Sequence, residues 1–224
     1  LMDVKEAVKL IKDGDVLWVG TYCNNPIQMI EALEERKDEL HNVTIVNNLA
    51  CKPFRYMSGE FKGHINAHSI FWGPCERKYA KEGNVAVNSV HFSQSGSTFN
   101  DIYHVNTLFV EVSEPDEEGN MSYGPIGVAW DGRAAQCATK KIVQINKYQG
   151  HVRGVDSTIN VKDVDAICRF DHPLPELKQP PVSETDKKIA SYIVPNITDG
   201  SILQVGLGGI ANAVAYSLED RKHL

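Results

Sequence analysis

The sequence lacks several features that mark whole classes of protein. No apolar run approaches the roughly 20 residues that a membrane-spanning helix needs, and no pattern typical of a secretory signal peptide is found. Basic residues are not in excess, because the formal net charge is −6 at pH 7. The sequence therefore offers no basic face for nucleic acid and little attraction for an anionic membrane.

Paired cysteines are also lacking. The chain has five cysteines, scattered with no C-x-x-C spacing, at positions 23, 51, 75, 137 and 168. This pattern is typical of reduced thiols in a cytoplasmic protein and disfavours a disulfide framework or a metal site. His64 and His68 lie on a strand-like stretch, where four residues span about 13 Å, too far for one ion to bridge. We predict no metal site.

What is present is the composition of a globular protein. Of the 224 residues, 42% are hydrophobic and 23% are charged, which fits one or two domains with a sizeable core. Position 1 is Leu, a helix-like pattern begins at once, and the chain stops at Leu224 directly after another helix-like stretch. We therefore expect both ends to belong to a longer protein.

Short apolar runs alternate with helical patterns along the chain. The predicted strands are 16–19, 43–46, 64–71, 85–87, 105–112, 142–145 and 164–168, and the predicted helices are 4–11, 27–33, 74–81, 134–140 and 212–219. Asn25 is predicted to cap the second helix, with Pro26 at its first position. This alternation predicts an α/β fold with an open, largely parallel sheet covered by helices on both faces.

A proline-rich stretch divides the chain. Four of the ten prolines fall within 173–175 and 180–181, which predicts a linker. Ser183 then caps a further helix. We place a domain boundary near residue 182, which gives an amino-terminal domain of residues 1–182 and a second segment of residues 183–224.

The second segment repeats the order of elements at the front of the chain. Residues 12–20 and 198–206 both run from an Asp-Gly pair through an apolar run to a glycine, so we predict a strand at 201–205 in the second copy as at 16–19 in the first. Chance is one explanation, because this phrase is common. If the repeat is real, residue 183 opens a second, similar domain that is truncated here. Its apolar face should then be exposed, and the side chains concerned are Ile189, Ile193, Val205 and Val214.

A glycine-rich loop separates the second apolar run from its helix. Its residues are Gly206, Leu207, Gly208, Gly209 and Ile210. Glycines allow close approach of a ligand, and a helix start presents unpaired N–H groups, so the loop could hold a phosphate or an oxyanion. Two alternatives remain: a tight packing turn, or, together with Ala211, the G-x-G-x-x-A fingerprint of an NAD-dependent oxidoreductase.

Three stretches together resemble a known family. They are residues 110–124, with a strand and a Pro-Asp-x-x-Gly turn, residues 172–177, and residues 199–214 followed by Lys222-His223-Leu224. They are similar to the acetyl-CoA hydrolase/transferase family, and within it to the 4-hydroxybutyrate and butyrate CoA-transferases. The resemblance implies a CoA-transferase-like (NagB/RpiA-type) fold of two similar α/β domains with the active site between them.

The resemblance also implies a reaction. A glutamate of the second domain would move coenzyme A between a short-chain acyl-CoA and a carboxylate such as acetate, butyrate or 4-hydroxybutyrate, through a glutamyl-CoA thioester. Coenzyme A would be a substrate, with no permanently bound cofactor, and the loop 206–210 would contact it and stabilise the oxyanion. A hydrolase of the same family would share these motifs. The full-length protein is expected to be a homo-oligomer.

The resemblance implies substrate contacts at Ser93, Gln94, Ser95, Gly96 and Ser97. The sequence departs from the family pattern at Ala211, where the family usually has proline. The family's glutamate follows a Lys-x-Leu motif, so the catalytic residue is expected beyond Leu224. Glu219 precedes that point and is interpreted as a surface charge, and the chain as given is expected to be inactive alone.

Overall fold

A computed structural model describes residues 1–178 and 181–224, so Pro180 of the predicted linker lies outside the described residues. The chain forms two compact units, Leu1–Pro175 and Glu176–Leu224. The strands are β1 (Val16–Val19), β2 (Val43–Asn47), β3 (Ile65–Ser69), β4 (Val85–Val87), β5 (Thr107–Val112), β6 (Asn120–Ser122), β7 (Lys140–Ile145), β8 (Thr158–Asn160) and β9 (Ala166–Arg169). The helices are α1 (Val4–Val8), α2 (Ile27–Glu34), α3 (Pro74–Lys78), α4 (Ser95–Asp101), α5 (Gly124–Gly127), α6 (Asp131–Cys137), α7 (Glu184–Ile193) and α8 (Gly209–Tyr216).

The first unit is built on a seven-stranded sheet in the order β4-β3-β2-β1-β5-β7-β9. Every neighbouring pair in this sheet is parallel. Strands β6 and β8 form a separate antiparallel pair. The predicted α/β fold with a parallel sheet is confirmed.

Both faces of the sheet are buried, as the continuous apolar runs predicted. Along β1, Leu17 and Val19 enter one core cluster and Trp18 enters the other, because successive side chains point to opposite faces. Helices α1 and α2 contribute to the first cluster, and Phe99 of α4 and Ala134 of α6 contribute to the second. Because helices cover both faces, the ends of the strands are the places where a ligand can enter.

One predicted helix cap is wrong. Asn25 does not cap α2, because Pro26 occupies the N-cap position and the helix begins at Ile27. The Asn25 side chain instead donates to the carbonyl of Gly20 and accepts from the backbone N–H of Cys51 at 2.7 Å. It thereby ties the loop after β1 to the loop after β2, a tertiary use that local sequence rules do not anticipate.

The Asp-Gly turn that precedes β1 is closed by the segment that follows α2. Gly14 has φ +76°, a left-handed conformation that favours glycine. Its N–H donates to the carbonyl of His41 at 3.1 Å, and the N–H of His41 donates to Asp13 Oδ1 at 2.8 Å. The turn is thus locked by a reciprocal pair of hydrogen bonds.

The second unit contains the same lock. Gly200 has φ +81°, and its N–H donates to the carbonyl of Lys222 at 3.1 Å. The N–H of Lys222 in turn donates to Asp199 Oδ1 at 3.1 Å. The sequence repeat therefore extends to matching backbone geometry and matching hydrogen bonds, which chance similarity of an Asp-Gly pair would not require.

The second unit is otherwise a pair of packed helices. Helix α7 begins at a capping box in which Ser183 and Asp186 bond each other's backbone N–H groups, as predicted for Ser183. Helices α7 and α8 pack together around Ala190 and Ala213, which are both buried. The predicted strand at 201–205 is absent from this described unit, because an isolated strand has no neighbour to receive its backbone hydrogen bonds.

Apolar side chains of the second unit remain uncovered, as predicted in part. Ile193 and Val205 are exposed, whereas Ile189 and Val214 are half-buried. Ile202 and Leu207 are also exposed, although no prediction singled them out. They belong to the segment that was predicted as a strand and to the loop that follows it.

Candidate functional site

In the sheet of the first unit, the order of the strands reverses between β1 and β5. Strands β1 to β4 follow one another toward one edge of the sheet, and β5, β7 and β9 follow one another toward the other edge. In open parallel sheets, ligands bind at the carboxyl ends of the strands near such a switch. A ligand site is therefore expected among the loops that follow the carboxyl ends of these strands.

An apolar cavity of about 250 Å³ opens at this edge. It is lined by Thr21, Asn48, Leu49, Ile70, Phe71, Val90, Phe92, Ser95, Ile126 and Trp130. The first six of these follow the carboxyl ends of β1 to β4 in turn, and the others come from α4, α5 and the segments that lead into α4 and α6. No Lys, Arg, His, Asp or Glu lines it among the described residues.

A chain of hydrogen bonds fixes one wall of the cavity. The indole Nε1–H of Trp130 donates to Ser95 Oγ at 2.7 Å, and the Ser95 hydroxyl donates to the carbonyl of Phe92 at 2.6 Å. The rings of Phe92 and Trp130 meet edge to face with centroids 4.9 Å apart. Ser95 thus holds two aromatic residues that line the cavity.

Asn24 connects the loop after β1 to strand β5. It is fully buried, and its Nδ2 donates to the carbonyls of Glu111, at 3.1 Å, and Tyr123. The same amide lies 3.2 Å from Asp131 Oδ2. A Cβ on Gly127 would lie 2.4 Å from Asn24 Nδ2, so only glycine permits this approach. The loop after β1 is therefore fastened to three separate segments.

Asp131 is a fully buried carboxyl below this loop. It accepts a hydrogen bond from Trp18 Nε1 at 2.7 Å and a second from Asn24. Burial raises the pKa of Asp131 to about 7, although both hydrogen bonds act in the opposite direction. The group therefore changes charge near neutral pH.

A second buried carboxylate lies at the ends of β5 and β7. Glu111 is fully buried and accepts from Gln144 Nε2 at 2.7 Å and from Asn146 Nδ2 at 2.8 Å. His172 Nε2 lies 2.7 Å from Glu111 Oε2. Burial raises the pKa of Glu111, and the bond to Asn146 and the charge of His172 act in the opposite direction. This pair attaches the start of the proline-rich stretch to the sheet.

The structure separates the predicted substrate residues 93–97. Ser95 lines the apolar cavity, but its hydroxyl is already engaged by Trp130 and Phe92. Gln94 and Ser97 line a different, more polar cavity of about 300 Å³. Gly96 approaches the side chain of Arg133. The stretch therefore serves two surfaces.

The predicted loop 206–210 lies in the second unit. Gly208 has φ +123° and is the N-cap of α8, a conformation that requires glycine. A Cβ on Gly209 would lie 2.6 Å from Asp186 Oδ2, so this glycine permits close packing of α7 on α8. Leu207 is largely exposed. Turn geometry and packing thus account for two of the glycines, while the ligand contact stays a prediction.

Sequence reasoning missed Thr21, Asn24, Trp130 and Asp131. A signal existed for Thr21, because it follows a correctly predicted strand of a parallel sheet. Trp130 and Asp131 gave none, because the helix that was predicted at 134–140 begins earlier, at Asp131, as α6. For metals, no group of three or more His, Cys, Asp or Glu side chains is suitably placed within the described residues.

Within the same described residues, no helix is long and apolar enough to cross a bilayer. All five cysteines are free thiols. Burial raises the pKa of Cys51 to about 12 and that of Cys168 to about 11, so neither is an activated nucleophile.

Several known proteins are similar to this chain in sequence and in fold. The chain is 29% identical to the 4-hydroxybutyrate coenzyme A transferase of Clostridium kluyveri, over 100% of this chain and 52% of that protein. It is 31% identical to the butyryl-CoA:acetate CoA-transferase of Anaerostipes caccae, over 98% and 50% respectively. The chain thus spans about half the length of the curated relatives it matches.

Solved structures agree. A crystal structure of RipA from Yersinia pestis matches with a TM-score of 0.93 and 26% identity, over 100% of this chain and 54% of that one. The 4-hydroxybutyrate CoA-transferase of Porphyromonas gingivalis matches with a TM-score of 0.81 and 25% identity, over 99% and 51%. The model of the acetyl-CoA hydrolase/transferase N-terminal domain matches residues 1–175. The chain therefore belongs to the acetyl-CoA hydrolase/transferase family, whose amino-terminal domain makes up its first unit.

Proposed function

We propose that this chain is the amino-terminal part of a CoA-transferase that moves coenzyme A between a short-chain acyl-CoA and a carboxylate. The observation that carries the proposal is the apolar cavity at the carboxyl ends of β1 to β4, in a chain whose relatives are named CoA-transferases. An acyl chain needs an apolar, water-excluding pocket next to polar groups that orient its carbonyl.

The proposed chemistry is a double displacement at a glutamate beyond Leu224. The glutamate carboxylate attacks the thioester carbonyl, a mixed anhydride forms, and coenzyme A leaves as its thiolate. The thiolate then attacks the glutamyl carbonyl, which releases the first acid and leaves a glutamyl-CoA thioester. A second carboxylate reverses both steps and departs as the new acyl-CoA.

In this proposal, residues 206–210 stabilise the negative oxygen that develops on the thioester carbonyl. Gly208 presents the start of α8 in a conformation that other residues rarely adopt. Backbone N–H groups at a helix start carry partial positive charge. The repeat supports a second domain that begins at residue 183, in which residues 201–205 become a strand once further chain supplies neighbours.

A hydrolase and an NAD-dependent oxidoreductase are the two alternatives to this function. A hydrolase of the same family would use the same residues and admit water to the anhydride or thioester. The NAD-dependent oxidoreductase is less well supported, because the relatives that match this chain are named CoA-transferases, and because its fingerprint also requires an acidic residue about 20 positions further on, at the end of a second strand. Titration with coenzyme A and with NAD separates this reading from the other two.

The setting of the protein is also a proposal. Free, widely spaced thiols fit a reducing compartment, and we propose a cytoplasmic location on that ground. Acyl-CoA and a carboxylate are the proposed partners, with coenzyme A as substrate and a homo-oligomer as the full-length assembly. The net charge of −6 supports neither nucleic-acid nor membrane partners.

Intact mass spectrometry after incubation with acetyl-CoA tests the proposal. A form of the protein extended beyond Leu224 should gain a coenzyme A thioester that hydroxylamine removes, whereas the 224-residue chain should gain nothing. An adduct on the shorter chain would place the nucleophile within these residues. No adduct and no transfer by the extended form would refute the proposed function.

A further inference from the structure

We infer that the cavity selects apolar monocarboxylic acids up to the size of a six-membered ring, and that Ser95 sets this selectivity by positioning Trp130. The inference rests on the proposed function and deepens it, because it names the substrate class. Three features of the cavity carry it: its volume, its lining, and the hydrogen bonds that hold one wall.

The volume is large enough to admit a six-membered ring. The cavity measures about 250 Å³, whereas an engineered apolar cavity of about 150 Å³ accommodates benzene. A six-membered ring or a chain of similar bulk therefore fits with room to spare. An acetyl group would leave most of the apolar wall without contacts, so acetate gains less binding energy than a larger acid.

The lining sets the polarity. Aliphatic side chains from Leu49, Ile70 and Ile126 face aromatic rings, and no side chain of Lys, Arg or His lines the described cavity. A second carboxylate, as in succinate, would enter this wall without a positive partner. Burying an unpaired charge is costly enough to exclude it. The cavity therefore discriminates against dicarboxylates.

Ser95 acts through its neighbours. Only 3% of the residue is exposed, and its hydroxyl both accepts from Trp130 and donates to Phe92. A serine hydroxyl has one donor, which is already used, so it cannot donate to a substrate as well. It is a positioning residue that fixes the indole as the cavity wall.

The chain offers a matched control in helix α7 of the second unit. Ser191 Oγ donates to the carbonyl of Lys188 at 2.7 Å, in the same manner as Ser95 donates to Phe92. Ser191 is exposed and does not line the apolar cavity. Replacing it removes the same kind of local hydrogen bond without touching the apolar wall.

The first experiment measures kcat/KM of the extended protein for acetate, hexanoate, cyclohexanecarboxylate and succinate. Trp130→Phe should raise the ratio of cyclohexanecarboxylate to acetate about tenfold, the order that a small change in an apolar pocket produces. Ser95→Ala should change the same ratio in the same direction, and Ser191→Ala should leave it unchanged. Circular dichroism confirms that each variant is folded.

A double-mutant cycle separates positioning from a merely structural role. If Ser95 acts through Trp130, Ser95→Ala should have no further effect on the ratio in the Trp130→Phe background. Additive effects, unchanged ratios in both single variants, or a wild-type preference for succinate over hexanoate would overturn the inference. If Ser95→Ala does not fold, the Trp130→Phe ratio alone decides.

A binding measurement keeps this inference distinct from the proposed function. Saturation-transfer NMR on the 224-residue chain should detect cyclohexanecarboxylate and not succinate, and Trp130→Phe should change the signal. Binding without transfer by the extended protein refutes the function and supports the cavity's selectivity. Transfer with no preference among the acids supports the function and refutes the selectivity of the cavity. If neither binding nor transfer is detected, the function and the selectivity are both refuted.

Discussion

The buried carboxyl of Asp131 should make the stability of the first unit fall as the pH rises from about 4 to neutrality. Its pKa is raised to about 7 in the folded protein by burial, whereas an unfolded aspartate titrates near 3.9. Between these values the folded state holds a proton that the unfolded state has lost. The resulting stabilisation is present at low pH and disappears as the pH passes the folded pKa.

The magnitude follows from the difference in pKa. Each pKa unit corresponds to about 1.36 kcal/mol, and the interval from pH 5 to a folded pKa of about 7 spans two units. Asp131 should therefore contribute about 2.7 kcal/mol to the free energy of unfolding at pH 5 that is absent at pH 9. Glu34 and Glu111 also have raised pKa values, so the wild-type slope alone does not isolate this residue.

Asp131→Asn isolates it. The asparagine oxygen can still accept from Trp18, while its amide faces the Nδ2 of Asn24, a loss that does not depend on pH. Urea unfolding followed by tryptophan fluorescence reports on the first unit, because all three tryptophans lie in it. The stability difference between wild type and variant should shrink or reverse by about 2.7 kcal/mol from pH 5 to pH 9.

The exposed Asp163 provides the control, since Asp163→Asn should leave the pH slope of the wild type in place. The reasoning is refuted if Asp131→Asn keeps the wild-type slope. That result would mean that Asp131 is ionised throughout the range and that its two donors outweigh its burial.

Three further predictions concern the loops and the linker. In the extended protein, Gly208→Val should lower kcat about 10²–10³-fold, because the loop needs φ +123° and an open approach; a folded variant with wild-type turnover would show that the loop is only a turn. Gly209→Ala should lower the melting temperature of the second unit, measured calorimetrically, because the new Cβ would lie 2.6 Å from Asp186 Oδ2; Gly209→Ala combined with Asp186→Ser should recover part of the loss. His172→Ala should cost about 2 kcal/mol in urea unfolding, because it removes one hydrogen-bond partner of the fully buried Glu111 carboxyl; a cost near zero would mean that Gln144 and Asn146 satisfy the carboxyl alone.

The sheet could be predicted from the sequence because its strands are encoded locally. A strand buried on both faces must be apolar at consecutive positions, and Val16–Val19 was predicted with the bounds that the structure has. The edge strand Val85–Val87 was also predicted with its bounds, although it is largely exposed. The helix ends were less accurate, since their caps depend on tertiary contacts. Asn25 illustrates this, because its side chain serves the loop after β2 instead of the helix beside it.

The wall of the cavity could not be predicted in the same way. Trp130 and Ser95 are 35 positions apart, and no local rule relates an indole to a serine hydroxyl at that separation. The family resemblance indicated the stretch 93–97 and implied that its serines touch substrate. In the structure the Ser95 hydroxyl is already used by two protein groups, while contact of this stretch with substrate stays a prediction.

The second unit shows how far local sequence acts without neighbours. The Asp-Gly lock and the helices form there, because both depend on contacts within a short segment. The apolar run 201–205 has strand-like composition but forms no strand in the described chain, because a strand exists only through hydrogen bonds to another. In the first unit the equivalent run, Val16–Val19, lies between β2 and β5 and is buried. The same local signal therefore gives a strand where the chain supplies two neighbours and an exposed apolar segment where it supplies none.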